Sequence, residues 1–180
     1  MNRIHIKHLL DTELFLNECV KKTAYPTKPY STNHFFVYYP KKRHGFMYTA
    51  KNKVRMHDTD MAGILYFPNQ FRFAHDTLED FMEDEGYPFN DLFHKFNFVF
   101  VIVHCSADYK ASLSVGDILT IHLAVEHVGK SSFSFFYKIY REEELVGTVK
   151  TVHVTLDQNS RKKIPIPEEL RVILKKHECC

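Results

Sequence analysis

Two aspartates, two residues apart, open the run of side chains best suited to chemistry in this 180-residue chain. Asp58 and Asp60 lie in the stretch from Val54 to Phe71, which also holds His57, Gly63, Tyr66, Phe67 and Pro68. On an extended segment the two acids alternate and share one side. Carboxylates that close disfavour double ionisation, so one can keep its proton to higher pH. Paired carboxylates serve general acid–base chemistry or hold a cation. A helix beginning near Phe67 presents unbonded backbone N–H groups and the positive end of its dipole. Such an end can stabilise an oxyanion developing on a carbonyl. A carboxylate beside a helix start therefore suits acyl transfer. Plain loop chemistry, with Asp58 as a turn residue, is the competing reading of the same residues.

The elements that must position this stretch can be read along the chain. Residues 48–57 alternate as a strand, and a helix runs over 69–85. Its apolar stripe is Phe71, Ala74, Leu78, Phe81 and Met82, at spacings of three and four, and Gly86-Tyr87-Pro88 stops it. Pro68 suits the first helical position, where a missing N–H costs nothing. Strands follow near 97–110, 117–128, 132–142 and 145–157, joined at Gly116-Asp117, Gly129-Lys130 and Glu142 to Glu144. Short links between successive strands predict an antiparallel meander, and a last helix is expected over 167–177. One long helix against one broad sheet is an α+β layer arrangement.

The stretch resembles the opening of the 4-hydroxybenzoyl-CoA thioesterase family, in which Asp-x-Asp-x-x-Gly leads into the central helix. Asp58, Asp60, Ala62, Gly63, Tyr66, Asn69 and Phe71 carry the likeness, and the element order follows it from about 47 to 175. The resemblance implies a single hotdog domain, an antiparallel sheet wrapped around a long central helix. It also implies hydrolysis of an acyl-CoA or acyl carrier protein thioester without a further cofactor, in a homodimer or homotetramer with sites at the subunit interface. Asp60 takes the family's role of nucleophile or general base, the Phe67 backbone N–H that of the polarising amide, with Tyr66 beside it. Asp58, Gly63 and His57 then support the loop. In the turn after the second meander strand, Lys130, Ser131 and Ser132 match an element the family keeps near coenzyme A; Arg161-Lys162-Lys163 is a second basic turn. Glu79 and Asp76, near His75 on the helix, are the reserve carboxylates, since some hotdog thioesterases place theirs there.

Composition excludes several classes. No run approaches the ~18 continuous apolar residues of a membrane span, and the start lacks the pattern of a secretory signal. Cys19, Cys105, Cys179 and Cys180 show no disulfide framework spacing. A cytoplasmic location is expected, and Cys179-Cys180 reads as an incidental reactive tail. The 12 histidines form no ligand spacing, so no metal is expected. Residues 1–46 hold eight basic and three acidic residues, +5. Subtracting from the totals of 24 and 22 leaves 16 and 19 for 47–180, or −3. A basic extension, with a short helix over 4–20 and irregular chain over 24–45, thus precedes the domain at 47–180. It lacks the aromatic-interleaved basic stripe of a nucleic-acid binder. Two other functions compete with hydrolysis: a non-catalytic acyl-CoA-binding hotdog module, which retention of Asp60 disfavours, and a hotdog dehydratase, whose His-and-acid pattern is not found.

Overall fold

The computed structural model describes residues 47–179, so the expected extension over 1–46 and Cys180 lie outside the described residues. Five strands form one antiparallel sheet: β1 (Tyr48–Lys53), β2 (Phe98–Tyr109), β3 (Ile118–Val128), β4 (Ser132–Arg141) and β5 (Glu144–Asp157), in the order β1-β3-β4-β5-β2. The helices are α1 (Asn69–Asp84), α2 (Phe89–His94) and α3 (Glu168–Lys176).

α1 packs against β1, β3 and β5. Its inward face is Gln70, Phe73, Ala74, Thr77, Leu78, Phe81 and Met82. Phe73 replaces the expected Phe71 at the centre of the stripe, and Phe71 is only half-buried. Phe81 meets Tyr48 and Phe135 edge-on, with ring centroids 5.6 and 5.9 Å apart. Truncating a ring buried this way costs about 3–5 kcal/mol. The helix stops because Gly86 takes φ +88. The Tyr87 N–H then reaches the Met82 carbonyl at 2.7 Å and the Gly86 N–H the Glu83 carbonyl at 3.0 Å, closing the last turn. The chain next forms α2, which the sequence reading missed because six residues are too few to show a helical period.

Three expectations need correction. The strand expected over 48–57 ends at Lys53, and Met56–Asp58 form a 3-10 turn instead. The meander holds only for β3, β4 and β5. β2 pairs with β5 at one edge, while β1 pairs with β3 at the other. The link from β2 to β3 therefore crosses beneath the β4–β5 hairpin. It is pinned there by the Lys110 N–H on the Val146 carbonyl (2.9 Å) and by Arg141 on the Ser112 carbonyl (3.2 Å). Cys179 is no reactive tail. It is buried with Met47 and Ala124, and its N–H donates to the Val125 carbonyl at 3.1 Å.

Candidate active site

The segment between the 3-10 turn and α1 is folded back on itself. Thr59 and Leu65 form an antiparallel bridge, and Gly63 supplies the φ of +74 that the reversal requires. The Asp60 N–H donates to the Ile64 carbonyl at 2.9 Å and the Gly63 N–H to the Asp60 carbonyl at 3.0 Å. Outside the loop, the Leu65 N–H donates to the Leu113 carbonyl at 2.8 Å and Ile64 bridges Ser114, fastening it to the β2–β3 crossover.

The two aspartates are divided by this geometry. The Asp58 side chain is 1% exposed. One carboxylate oxygen accepts from Arg72 Nη2 at 2.7 Å, the other from the Arg55 N–H at 2.7 Å. Its carbonyl takes the Tyr66 N–H and Asn69 Nδ2, both at 2.8 Å. His57 stands 3.5 Å away, largely exposed. Asp58 thus ties loop to helix. The Asp60 side chain is exposed, and its Oδ1 accepts the Ala62 N–H at 2.8 Å. Its second oxygen has no partner among the described residues. The expected acid pair on one side of a strand is replaced by two carboxylates with separate partners.

Asp60 lines a cleft of about 520 Å³ together with Tyr66, Phe67, Gln70, Tyr109 and Leu113. The helix start beside it has one open donor. The Asn69 N–H turns back to the Tyr66 carbonyl (2.8 Å), Gln70 to Phe67 (3.4 Å) and Phe71 to Pro68 (3.0 Å). Pro68 has no N–H. The Phe67 N–H donates to no acceptor among the described residues. Its own carbonyl is held by the Tyr109 hydroxyl at 2.8 Å. Gln70 Nε2 donates to the Asp108 and Thr148 carbonyls, each at 3.0 Å, seating the first turn of α1 on β2 and β5. An unbonded carboxylate oxygen and an unbonded N–H on one cleft can activate a nucleophile and stabilise an oxyanion.

Other expected residues lie elsewhere. Lys130 and Ser131 occupy the β3–β4 turn and Ser132 opens β4, at the far end of an 11-residue strand from the crossover, ~33 Å away along it. Arg171 anchors that turn through the Gly129 and Lys130 carbonyls at 2.9 and 3.0 Å. On α1, Asp76 is occupied by Arg72 (2.6 Å) and Asn52 (3.0 Å), and Glu79 lies 3.4 Å from His75 on an exposed face. Arg161 takes φ +56 in the turn after β5, and the Lys162 carbonyl accepts the Asp157 N–H. Among the described residues no group of three His, Cys, Asp or Glu could hold a metal, and no helix is long and apolar enough to cross a membrane. Arg72, Gln70 and Tyr109 were not foreseen. Only the fold reveals that they reach back to Asp58, Asp108 and Phe67.

The comparisons with known proteins agree on one family. The thioesterase-like superfamily matches residues 54–174. A 1,4-dihydroxy-2-naphthoyl-CoA hydrolase of Nostoc punctiforme is 34% identical over 123 residues, covering 68% of this chain and 83% of that protein. The crystal structure of a 1,4-dihydroxy-2-naphthoyl-CoA thioesterase from Synechocystis superposes with a TM-score of 0.67 at 27% identity, over 72% of this chain and 96% of the other. A gentisyl-coenzyme A thioesterase shares the fold, with a TM-score of 0.64 at 24% identity over 70% and 98%.

Proposed function

The chain belongs to the thioesterase-like superfamily, and from that membership we propose a hydrolytic role for the cleft in which Asp60 is the acting carboxylate. The protein is an acyl-CoA thioester hydrolase, releasing a free acid and a thiol. The observation that carries the site assignment is the shared cleft of the open Asp60 oxygen and the open Phe67 N–H.

In this reading the thioester carbonyl oxygen accepts the Phe67 N–H, polarising the carbonyl carbon toward Asp60. As general base, Asp60 takes a proton from water while the water oxygen bonds to that carbon. The resulting oxyanion stays on the Phe67 N–H until the C–S bond breaks and the thiolate of coenzyme A takes up the proton. As nucleophile, Asp60 instead bonds to the carbon and expels the thiolate, leaving a mixed anhydride that water opens. Tyr66 walls the cleft beside the N–H, Gly63 keeps the loop reversed, and Asp58 and His57 hold its base. The resemblance to 4-hydroxybenzoyl-CoA thioesterases supports Asp60 over the reserve carboxylates, since Asp76 is already ion-paired.

Assembly as a homodimer, or as a homotetramer built from such dimers, supports a role for the distant β3–β4 turn. β2 is an edge strand whose other side pairs with β5, and it exposes Val101, Ile102 and Val103. An open apolar edge of this kind invites a second copy. Antiparallel β2–β2 pairing would bring the Phe98 end of one copy to the Tyr109 end of the other. The second copy's Lys130, Ser131 and Ser132 would then approach this copy's Asp60 cleft. There Lys130 meets a coenzyme A phosphate and the serines its pantetheine amides. The same reading covers an acyl carrier protein thioester, expects a cytoplasmic enzyme, and takes 47–180 as the catalytic domain; removal of the basic extension 1–46, followed by thiol release and assembly, tests whether hydrolysis needs it.

The test is thiol release from a panel of acyl-CoAs and acyl carrier protein thioesters by wild type and Asp60→Asn. Release by wild type with a loss of about 10³-fold or more in the variant is expected. Comparable turnover by the variant sinks the Asp60 assignment and turns attention to Glu79. Binding without any release leaves the non-catalytic acyl-CoA module. In a single turnover in ¹⁸O-water, label entering Asp60 identifies the nucleophilic route.

A further inference from the structure

Strand end, helix start and cleft meet at Tyr109, the last residue of β2. It pairs with Gly147 across the sheet, and the N–H of the next residue, Lys110, donates to the Val146 carbonyl at 2.9 Å. The strand end is stiffened further by the Thr148 hydroxyl, which donates to the Asp108 carboxylate at 3.0 Å. The Tyr109 backbone is thus fixed, while its side chain leaves the sheet and lines the Asp60 cleft. Half-exposed, the phenol could bond water, yet its hydroxyl donates to the Phe67 carbonyl at 2.8 Å. Desolvation and the nearby Cys105 raise the phenol above its ordinary value, so it keeps the proton it donates.

Phe67 is held through both of its peptide groups. Its N–H shares a peptide with the Tyr66 carbonyl, and in a trans peptide the two point in opposite directions. The Asn69 N–H draws that carbonyl toward the helix at 2.8 Å, so the Phe67 N–H faces away from α1. The following peptide carries the Phe67 carbonyl. From the helix it receives only the Gln70 N–H, at a long 3.4 Å, and helix ends fray where their own bonds are poor. The short bond to this carbonyl is the one from Tyr109. Gln70 Nε2 on the Asp108 carbonyl adds a second tie from the same strand end to the same helical turn.

We propose that Tyr109 is a positioning residue for thioester hydrolysis: by holding the Phe67 carbonyl, it fixes the direction of the Phe67 N–H on which the oxyanion rests. The inference rests on the hydrolytic reading above and adds to it the group that keeps the oxyanion donor in place. Tyr109 acts through Phe67 and not on the substrate. A donor already aimed at the oxyanion needs no reorganisation as charge develops, whereas one free to swing must be re-aimed in every turnover. The thioester carbonyl accepts a weaker bond than the oxyanion does, so loss of aim falls on kcat and spares KM.

The experiment measures kcat and KM for thiol release in wild type, in Tyr109→Phe and in protein carrying 4-aminophenylalanine at position 109, with the acyl-CoA that wild type hydrolyses fastest. Phenylalanine keeps the ring and removes the donor; the amino group returns a donor to the same point. Tyr109→Phe should lose about 10- to 100-fold in kcat, less than removal of a whole oxyanion donor costs, with KM within about twofold of wild type. Its melting temperature should stay close to wild type, since the ring is half-exposed. The 4-aminophenylalanine protein should recover most of the lost kcat. The pH profile of kcat should keep its shape in Tyr109→Phe, because no proton passes through the phenol. An unchanged kcat, a loss confined to KM, a loss that the amino group does not recover, or disappearance of an alkaline limb each overturns the inference and leaves hydrolysis intact. No release by wild type from any thioester strikes the hydrolytic reading, and the positioning role with it.

Discussion

Replacing Asp58 by asparagine separates a supporting role from a catalytic one. The carboxylate accepts from Arg72 and from the Arg55 N–H, each at 2.7 Å, in a site closed to solvent. An asparagine can accept with one oxygen only, and its NH₂ must face a donor. One charge-assisted bond is lost outright, which costs about 1.5–3 kcal/mol. The ion pair goes with it, but Arg72 is partly exposed and keeps Asp76 at 2.6 Å, so that loss is softened. The sum is about 2–4 kcal/mol, or roughly 5–12 °C in the melting temperature of a domain this size. Thermal unfolding and thiol release, measured on the same preparation at fixed protein concentration, read both effects. The expected pattern is a lower melting temperature with a drop of about tenfold in kcat, as the loop relaxes away from Phe67. Asp60→Asn should do the reverse, abolishing turnover at nearly unchanged stability. An Asp58→Asn protein that melts like wild type yet loses as much activity as Asp60→Asn would refute the division between the two acids.

Three further outcomes follow from the same geometry. Gly147→Ala would place a methyl group 2.6 Å from Gln70 Oε1 and 2.8 Å from Nε2, forcing the side chain off the Asp108 and Thr148 carbonyls; a loss of about 1–3 kcal/mol in denaturant unfolding and a lower kcat are expected. Val103→Lys, on the exposed edge of β2, should give monomers in analytical ultracentrifugation and little turnover; an active, assembled variant would rule out pairing through that edge. His153 has its folded pKa depressed to about 4 by burial, so the unfolded state binds the extra proton between about 6.5 and 4. Stability from this group is full above about 6.5 and declines as pH falls toward 4, by roughly 2–3 kcal/mol in all, and His153→Leu should flatten that slope in urea titrations at successive pH values.

Much of the molecule was legible in its sequence, for physical reasons that also mark the limits. α1 and the strands announce themselves through local periodicity, and the Asp60 segment through its Asp-x-Asp-x-x-Gly spacing and the family that spacing resembles. The place of β2 does not. Strand neighbours are fixed by long-range pairing, and a crossover of eight residues looks like any tight connection until the curvature of the sheet is known. Arg72 was invisible for a related reason. A basic residue on a helix reads as solvated, and its partner Asp58 stands fourteen positions earlier. Tyr137, Thr151 and His153 fit the alternation of their strands, and nothing local discloses that they turn inward, or that Thr151 and His153 pair at 2.9 Å inside the core.

The bridge between Ile64 and Ser114 joins residues fifty positions apart, and Tyr48 pairs with Leu123 across seventy-five. Contacts of such separation close large loops and form slowly compared with a hairpin such as β4–β5. The Asp60 loop has no sheet of its own to rest on until β2, the crossover and α1 have all assembled. Its rungs are few and near solvent, which puts it among the least protected segments against local opening. Amide exchange should then find Gly63 and Leu65 opening well before the central strands. Competence would be the last property the folding chain acquires and the first that heat removes, ahead of any change in the sheet.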